Sequence, residues 1–174
     1  GRLFGIFGRM IVWSEPLYYG MFDPSSDYIV VGGTPVMAAP VDGDGFIAYI
    51  GTKTRTYRWG GESLAATTLV PVAHNGVMPG SLAYVAPDAL GLKGITAWVP
   101  VWVDARGVPI AGTGDGLMPL HDKFAYPSFL QAAALFDQRD GQSRYVVSGR
   151  GGAPSALAVG DYVTATVVDA GGGP

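Results

Sequence analysis

The sequence predicts an all-β fold of antiparallel hairpin repeats, β-propeller-like in arrangement, with a β-sandwich as the alternative. Three observations predict it. Short apolar or β-branched runs alternate with turn residues along the whole chain. The 27 glycines and 13 prolines are spread at turn-like intervals and are not gathered in a linker. Sustained helical periodicity is nearly absent, although the 174 residues are 48% hydrophobic and can form a substantial core.

Four segments each contain a run, a turn and a second run, which is the pattern of a β-hairpin. The turns are predicted at residues 8–9, 51–53, 104–107 and 137–141. The paired runs are 4–7 with 10–13, 46–50 with 55–59, 101–103 with 108–111, and 134–136 with 144–147. A repeat of roughly 45 residues is typical of propeller blades. The spacing is uneven, and this keeps the sandwich open as an alternative.

Two further strands are predicted from alternation. In segment 129–136 the alanines favour a helix, but Ala132, Ala134 and Phe136 alternate as in a strand, which the surrounding β pattern favours. Residues 162–168 alternate between apolar residues and threonine, as expected of a half-buried strand. Pro100 cannot donate to a ladder and therefore marks an edge strand, a bulge or a bend.

The composition limits what the protein can do. Only 14% of the residues are charged, against about 25% in a typical soluble domain. We therefore expect neighbouring subunits, or further parts of the same polypeptide, to cover much of the surface. The formal charge of −3 and the scattered Lys and Arg residues argue against sequence-specific nucleic-acid binding. There is no cysteine, and no apolar run approaches the roughly 20 residues that span a bilayer, so we expect no membrane insertion.

The ends of the chain carry two expectations. The sequence opens without Met, directly into a strand-like run, and this favours the later part of a larger protein. Residues 1–170 are predicted to form a single β domain, and residues 171–174 (GGGP) a flexible tail.

No motif supports catalysis or a cofactor. Asp42 and Asp44 form a weak calcium-loop candidate, but the twelfth position of such a loop is Lys53 instead of glutamate, so a hairpin turn is preferred. His74 and His121 have no partner at ligand spacing. The glycine-rich segment 112–116 lacks the lysine and helix of a phosphate loop, which predicts a turn. We expect no catalytic residue, no metal and no cofactor; a propeller hydrolase or lyase would need an acid–base pair that does not stand out.

The tryptophans are the candidate interface or packing residues. Because most aromatic residues occupy strand positions, the four tryptophans are predicted to pack in the core or between subunits, with a sugar-binding face as the alternative. They are Trp13, Trp59, Trp98 and Trp102.

Several segments resemble virion structural proteins of tailed bacteriophages. The first is 2–16 (RLFGIFGRMIVWSEP), followed by an Asp-rich turn and strand at 22–29 (FDPSSDYI). The later segments are MAAPVDG at 37–43, TYRW at 56–59, VMPGS at 77–81, HDKF at 121–124 and VGDYVTA at 159–165. The broader likeness is to propeller-bearing tail tube or nozzle proteins of short-tailed phages, and it covers most of the chain as a loose pattern.

This resemblance implies a function in particle assembly and brings no catalytic residues with it. We expect a virion protein of the tail, neck or nozzle that forms a homo-oligomeric ring and contacts other virion proteins. The alternative is a carbohydrate- or receptor-binding β module of a tail fibre or spike.

Overall fold

Four antiparallel sheets follow one another along the chain, and each is formed by consecutive strands. The computed structural model describes residues 2–42, 45–64, 66–120 and 129–150, together with the backbone of a strand at 162–168. Within these residues the only helical segment is a short 3-10 helix, Pro87–Leu90. The predicted all-β class is therefore confirmed.

The first two sheets occupy the N-terminal part of the chain. The first contains β1 (Phe4–Phe7), β2 (Met10–Trp13) and β3 (Tyr28–Val30) in that order. The second contains β4 (Pro35–Val41), β5 (Phe46–Thr52), β6 (Thr56–Ser63) and β7 (Ala66–Ala73). Each sheet is a simple meander because every strand pairs with the one that precedes it in the sequence.

The third and fourth sheets repeat this arrangement. The third contains β8 (Ala83–Val85), β9 (Val99–Val103), β10 (Pro109–Gly112) and β11 (Leu117–Pro119). The fourth contains β12 (Gln131–Arg139), β13 (Gln142–Arg150) and β14 (Tyr162–Val168). Strands β4, β8 and β12, which begin these three sheets, start at Pro35, Ala83 and Gln131, so 48 residues separate each start from the next.

Each predicted hairpin lies in a different sheet. Strands β1 and β2 have the predicted bounds. The other three hairpins lie at β5–β6, β9–β10 and β12–β13, where every strand is longer than predicted except β10, which is shifted by one residue. Segment 131–139 is a strand, as the alternation favoured, and β14 spans the predicted residues 162–168. The predicted tail at 171–174 lies outside the described residues.

Pro100 lies in a strand that pairs on both sides, not at a sheet edge. Strand β9 pairs with β8 through Tyr84↔Pro100 and with β10 only through residues 101–103. Because the ladder with β10 stops at Val101, the missing N–H of Pro100 removes no hydrogen bond from it. Of the three possibilities predicted for Pro100, the edge strand is wrong, because β9 pairs with a strand on each side.

Three buried clusters hold the stack together, and each lies between sheets that are consecutive in the chain. Ile11, Trp13 and Trp59 belong to the cluster between the first and second sheets. Tyr49 and Trp102 belong to the one between the second and third sheets. The last lies between the third and fourth sheets and is formed by residues that include Val101, Phe129, Tyr145 and Val147. The second and third sheets are thus covered on both faces.

The four sheets form a stack and not the two-sheet sandwich of the alternative prediction. Strand β1 contacts β4, β4 contacts β9, and β8 contacts β12, so each sheet touches the next one along the chain. No buried cluster of the described residues joins the first sheet to the fourth, and the closed ring of a propeller is therefore not seen there.

Candidate functional site

The predicted site residues fall into two environments. Trp13 and Trp59 are buried between the first two sheets, with ring centroids 5.1 Å apart, and Trp102 is buried beside Tyr49. Trp98 instead keeps 55% of its surface exposed. Three of the four tryptophans therefore pack within the chain, and only Trp98 is available to a ligand or a partner.

The calcium-loop candidate lies at the hairpin between β4 and β5. Asp42 is exposed, and Asp44 lies outside the described residues. Strand β5 begins at Phe46 and its pairing with β4 extends to Val41↔Ile47, so most of the positions a twelve-residue calcium loop would use are in a strand. In the described part of the chain, no group of three or more His, Cys, Asp or Glu side chains could hold a metal ion.

The structure describes one of the two histidines. His74 is exposed in the bend that follows β7. His121 lies outside the described residues. No helix in the described part of the chain has the length and apolar character needed to cross a membrane.

The outward face of the first sheet is apolar and uncovered. Successive residues of a strand point to opposite faces, and Ile11 and Trp13 point inward to the buried cluster. The pairs Phe7↔Met10, Met10↔Val30 and Val12↔Tyr28 therefore lie on the opposite face. Phe7 is 70% exposed and Val30 is 58% exposed. This face carries no charged side chain.

The loop between β2 and β3 extends this apolar surface. Five of its large side chains are exposed: Leu17, Tyr18, Tyr19, Met21 and Phe22. Residues 19–22 line a groove together with Gly5 and Val12, so the loop adjoins the outward face of the sheet. We call the outward face and this loop together the outer apolar surface; it consists of Phe7, Met10, Val12, Tyr28, Val30 and residues 17–22.

The loop has a defined conformation although its side chains face outward. Glu15 N donates to Met21 O at 2.8 Å, and Met21 N donates to Tyr18 O at 2.9 Å. Leu17 adopts a left-handed conformation with φ of 64°, which is unfavourable for a residue with a branched side chain. The strain and the exposure of large apolar groups are both typical of a surface that contacts something else.

At the far end of the loop, Asp23 forms a local cap. Its Oδ1 accepts hydrogen bonds from Ser25 N at 2.8 Å and from Ser25 Oγ at 2.6 Å. These bonds favour the charged carboxylate and lower the pKa of Asp23 below its ordinary value. Asp27 Oδ2 in turn accepts from Asp23 N at 2.7 Å, which fixes the return of the chain into β3.

A second feature is a cleft of about 440 Å³ between the second and third sheets. Its apolar walls include Ile47, Ile95 and the exposed Trp98. The polar groups are supplied by Asp42, Arg58, Asp115 and the turn at 113–116. Arg58 Nη2 donates to Gly114 O at 3.2 Å, and the buried Tyr49 hydroxyl donates to Thr113 O at 2.8 Å. Desolvation by burial raises the pKa of Tyr49 above its ordinary value.

Sequence reasoning missed this cleft because its residues are far apart in the chain. Arg58 was counted only among the scattered basic residues, and residues 112–116 were predicted only as a turn. The turn is present, and Thr113 N donates to Gly116 O at 2.9 Å. Only the pairing of the sheets brings it next to Arg58, so no local signal could have indicated the site.

Comparison of the chain with protein-family models, with curated proteins and with solved structures found no match.

Proposed function

We propose that this chain is a structural subunit that acts by assembly, through the packing of its outer apolar surface on a sheet of a second copy. One observation carries the proposal: of the 17 large hydrophobic residues that are exposed in the described part of the chain, eight lie on the outer apolar surface. Such concentration on one face is unusual for a free monomer and typical of protein–protein contact surfaces.

The way in which the chain packs its own sheets indicates that a sheet of a second copy covers the outer apolar surface. Each of the three buried clusters joins the apolar face of one sheet to that of its neighbour. The first sheet has one face buried in this way and the other left open, so a further sheet would continue the same stack. The fourth sheet has an outward face with the exposed Leu135, and it offers the complementary end on a second copy. Repetition of one such contact produces a ring or a filament.

The proposed setting is the virion of a tailed phage, in the tail, neck or nozzle. It is supported by the resemblance of segments such as 2–16 and by a composition suited to extensive burial between subunits. Mass spectrometry of purified virions tests this setting. Peptides of the chain in stoichiometric amounts support it, and recovery only in the soluble fraction of the lysate contradicts it.

The assembly contact is tested by measuring native mass with light scattering after size exclusion. We expect the wild type to form a defined oligomer, and Val30→Lys to shift it to the 18.1 kDa monomer by placing a charge in the contact. Val70→Lys is the matched control, because Val70 is 51% exposed and also lies in an edge strand, β7, on the second sheet.

Three outcomes contradict the contact. The wild type could remain a monomer at its highest soluble concentration, both variants could dissociate equally, or the apolar loop could bind phosphatidylcholine vesicles in place of a second copy. Neither valine belongs to a buried cluster, so we expect both variants to fold. Circular dichroism of each variant checks this.

A further inference from the structure

The cleft between the second and third sheets has the size and the lining of a small-molecule site. Its volume of about 440 Å³ lies within the usual range of ligand pockets, roughly 300–1,000 Å³. It combines an apolar wall with a small number of polar groups, and this combination orients a ligand while burying it. The outer apolar surface belongs to the first sheet, so the two features are separate.

Trp98 provides a platform whose orientation is set by the fourth sheet. Its ring packs on the ring of Phe136 in a T-shaped contact, with centroids 5.7 Å apart. Even so, more than half of the side chain stays exposed, whereas the other three tryptophans are buried. The face of an aromatic ring carries partial negative charge and attracts the slightly positive C–H groups of a sugar ring.

The polar groups of the cleft suit hydroxyl groups better than a net charge. Asp42 and Asp115 supply carboxylates that accept hydrogen bonds, and Arg58 supplies a guanidinium that donates them. Within the described residues, Arg58 forms no ion pair. An anionic ligand would meet two carboxylates, and a cationic ligand would meet the guanidinium. A sugar hydroxyl both donates and accepts, and it can use all three groups.

The floor of the cleft is held in place before any ligand binds. The hydroxyl of Tyr49 and the guanidinium of Arg58 each bind a carbonyl of the turn, at Thr113 and at Gly114. Thr113 Oγ1 also donates to Gly116 O at 3.1 Å, which closes the turn on itself. A site fixed in this way loses little conformational entropy on binding.

From these observations we infer that the cleft binds a neutral saccharide, whose ring stacks on Trp98 and whose hydroxyl groups bind Asp42, Asp115 and Arg58. A nucleotide could stack on the same ring, but its phosphates would face the two carboxylates. The chain would therefore have a glycan-binding activity in addition to its proposed function in assembly.

The probes are the neutral disaccharides cellobiose, maltose, lactose, chitobiose and mannobiose, with sialyllactose as the anionic counterpart of lactose. Binding to the wild-type protein is followed by saturation-transfer NMR and by tryptophan fluorescence, because stacking removes Trp98 from water. We expect saturable binding of at least one neutral disaccharide and weaker binding of sialyllactose than of lactose. The inference is overturned if none of the five neutral disaccharides binds, or if sialyllactose binds more tightly than lactose.

Variants then test the residues of the cleft against the disaccharide that binds. Trp98→Ala should weaken binding at least tenfold, and Trp98→Phe should recover part of the loss because it retains a ring face. Asp115→Asn keeps the shape of the side chain and should weaken binding through its poorer acceptor. Tyr18→Ala, at an aromatic residue that is 66% exposed on the outer apolar surface, is the control and should bind as the wild type does.

Unchanged binding by Trp98→Ala, with the fold intact by circular dichroism, overturns the inference. Val30→Lys separates this inference from the proposed assembly function. It should lose the oligomer and keep the sugar affinity, since Val30 is not part of the cleft.

Discussion

The hydroxyl of Tyr49, a buried residue of the second sheet, donates a 2.8 Å hydrogen bond to the carbonyl oxygen of Thr113, which follows the third sheet's β10. The two residues are 64 positions apart in the chain. This bond is one of the few polar links between the two sheets, beside those from Arg58 to Gly114 and from Tyr84 to Pro40, and it also fixes the floor of the cleft.

Removal of this hydroxyl should weaken both the fold and the cleft. We expect Tyr49→Phe to lower the free energy of unfolding by about 1–3 kcal/mol, because the Thr113 carbonyl loses its partner near the core. Urea denaturation followed by fluorescence measures the change. Tyr18→Phe, in the exposed loop, is the control and should alter stability by less than about 0.5 kcal/mol.

Alkaline pH should destabilise the protein partly through the same residue. Burial raises the pKa of Tyr49, and also that of Tyr84, above the usual value of about 10. A raised pKa in the folded state means that the stabilising contribution is complete below pH 10 and is lost as the pH rises through the folded-state value. Unfolding curves measured on either side of pH 10 should therefore differ less for Tyr49→Phe than for the wild type. An equal loss of stability in both would contradict this assignment.

Gly112 should tolerate no side chain, although the nearby Gly114 should. A methyl group on Gly112 would lie 2.5 Å from Tyr49 Cδ2 and 2.8 Å from Trp102 Cζ3, two buried rings that cannot easily move. Nothing lies within 4 Å of the same position on Gly114. We expect Gly112→Ala to cost about 1–3 kcal/mol through overpacking and Gly114→Ala to be nearly neutral. Thermal unfolding of the two variants side by side checks the prediction.

The Ser81 hydroxyl should stabilise the third sheet next to its junction with the fourth sheet. Its buried hydroxyl donates to Met78 O at 2.7 Å and accepts from Val103 N at 3.0 Å, while the Tyr145 hydroxyl donates to the Ser81 carbonyl. Ser81→Ala leaves the Val103 N–H without its partner and should cost about 1–3 kcal/mol. Ser143→Ala, in β13, is a suitable control because that residue is only half-buried. Equal losses for the two variants would contradict this assignment.

Acid should loosen the loop that carries the exposed aromatic residues. The hydrogen bonds from Ser25 lower the pKa of Asp23, so their stabilising contribution is present above the usual carboxyl pKa and is lost as the pH falls through the lower, folded-state value. Proton exchange at the Ser25 amide should accelerate relative to other exposed amides in that range. Asp23→Asn should largely remove the pH dependence, since its amide oxygen can still accept from Ser25 N. An Asp23→Asn variant that keeps the same acid transition would argue against this role.

The sequence predicted the hairpins well and the edges of the sheets poorly. Turn residues at 8–9 and 104–107 are sufficient signals, since local chemistry determines where the chain reverses. Strands β4 and β7 were not predicted because they contain Pro35, Pro40 and Pro71, which argue against central strands. Both are edge strands of the second sheet, where a missing N–H can face away from the ladder.

The candidate sites were predicted less well than the strands, because exposure depends on tertiary packing. Alternation at strand positions predicted packing for all four tryptophans, and nothing local distinguishes Trp98 from Trp102, which lies four residues later in the same region. The difference arises because Trp102 lies within β9, between two sheets, whereas Trp98 precedes that strand. The apolar loop at 17–22 was not predicted to be a contact surface, since its exposure is a property of the folded chain.

The 48-residue interval between the starts of β4, β8 and β12 has a consequence for how the protein folds. All strands of a sheet come from one short stretch of sequence. Each sheet is buried mainly against the sheets that come before and after it in the chain. Structure can therefore grow along the polypeptide one sheet at a time, as in solenoid proteins, without first bringing the two termini together. A nascent chain emerging from the ribosome could bury each completed sheet against its predecessor as synthesis proceeds.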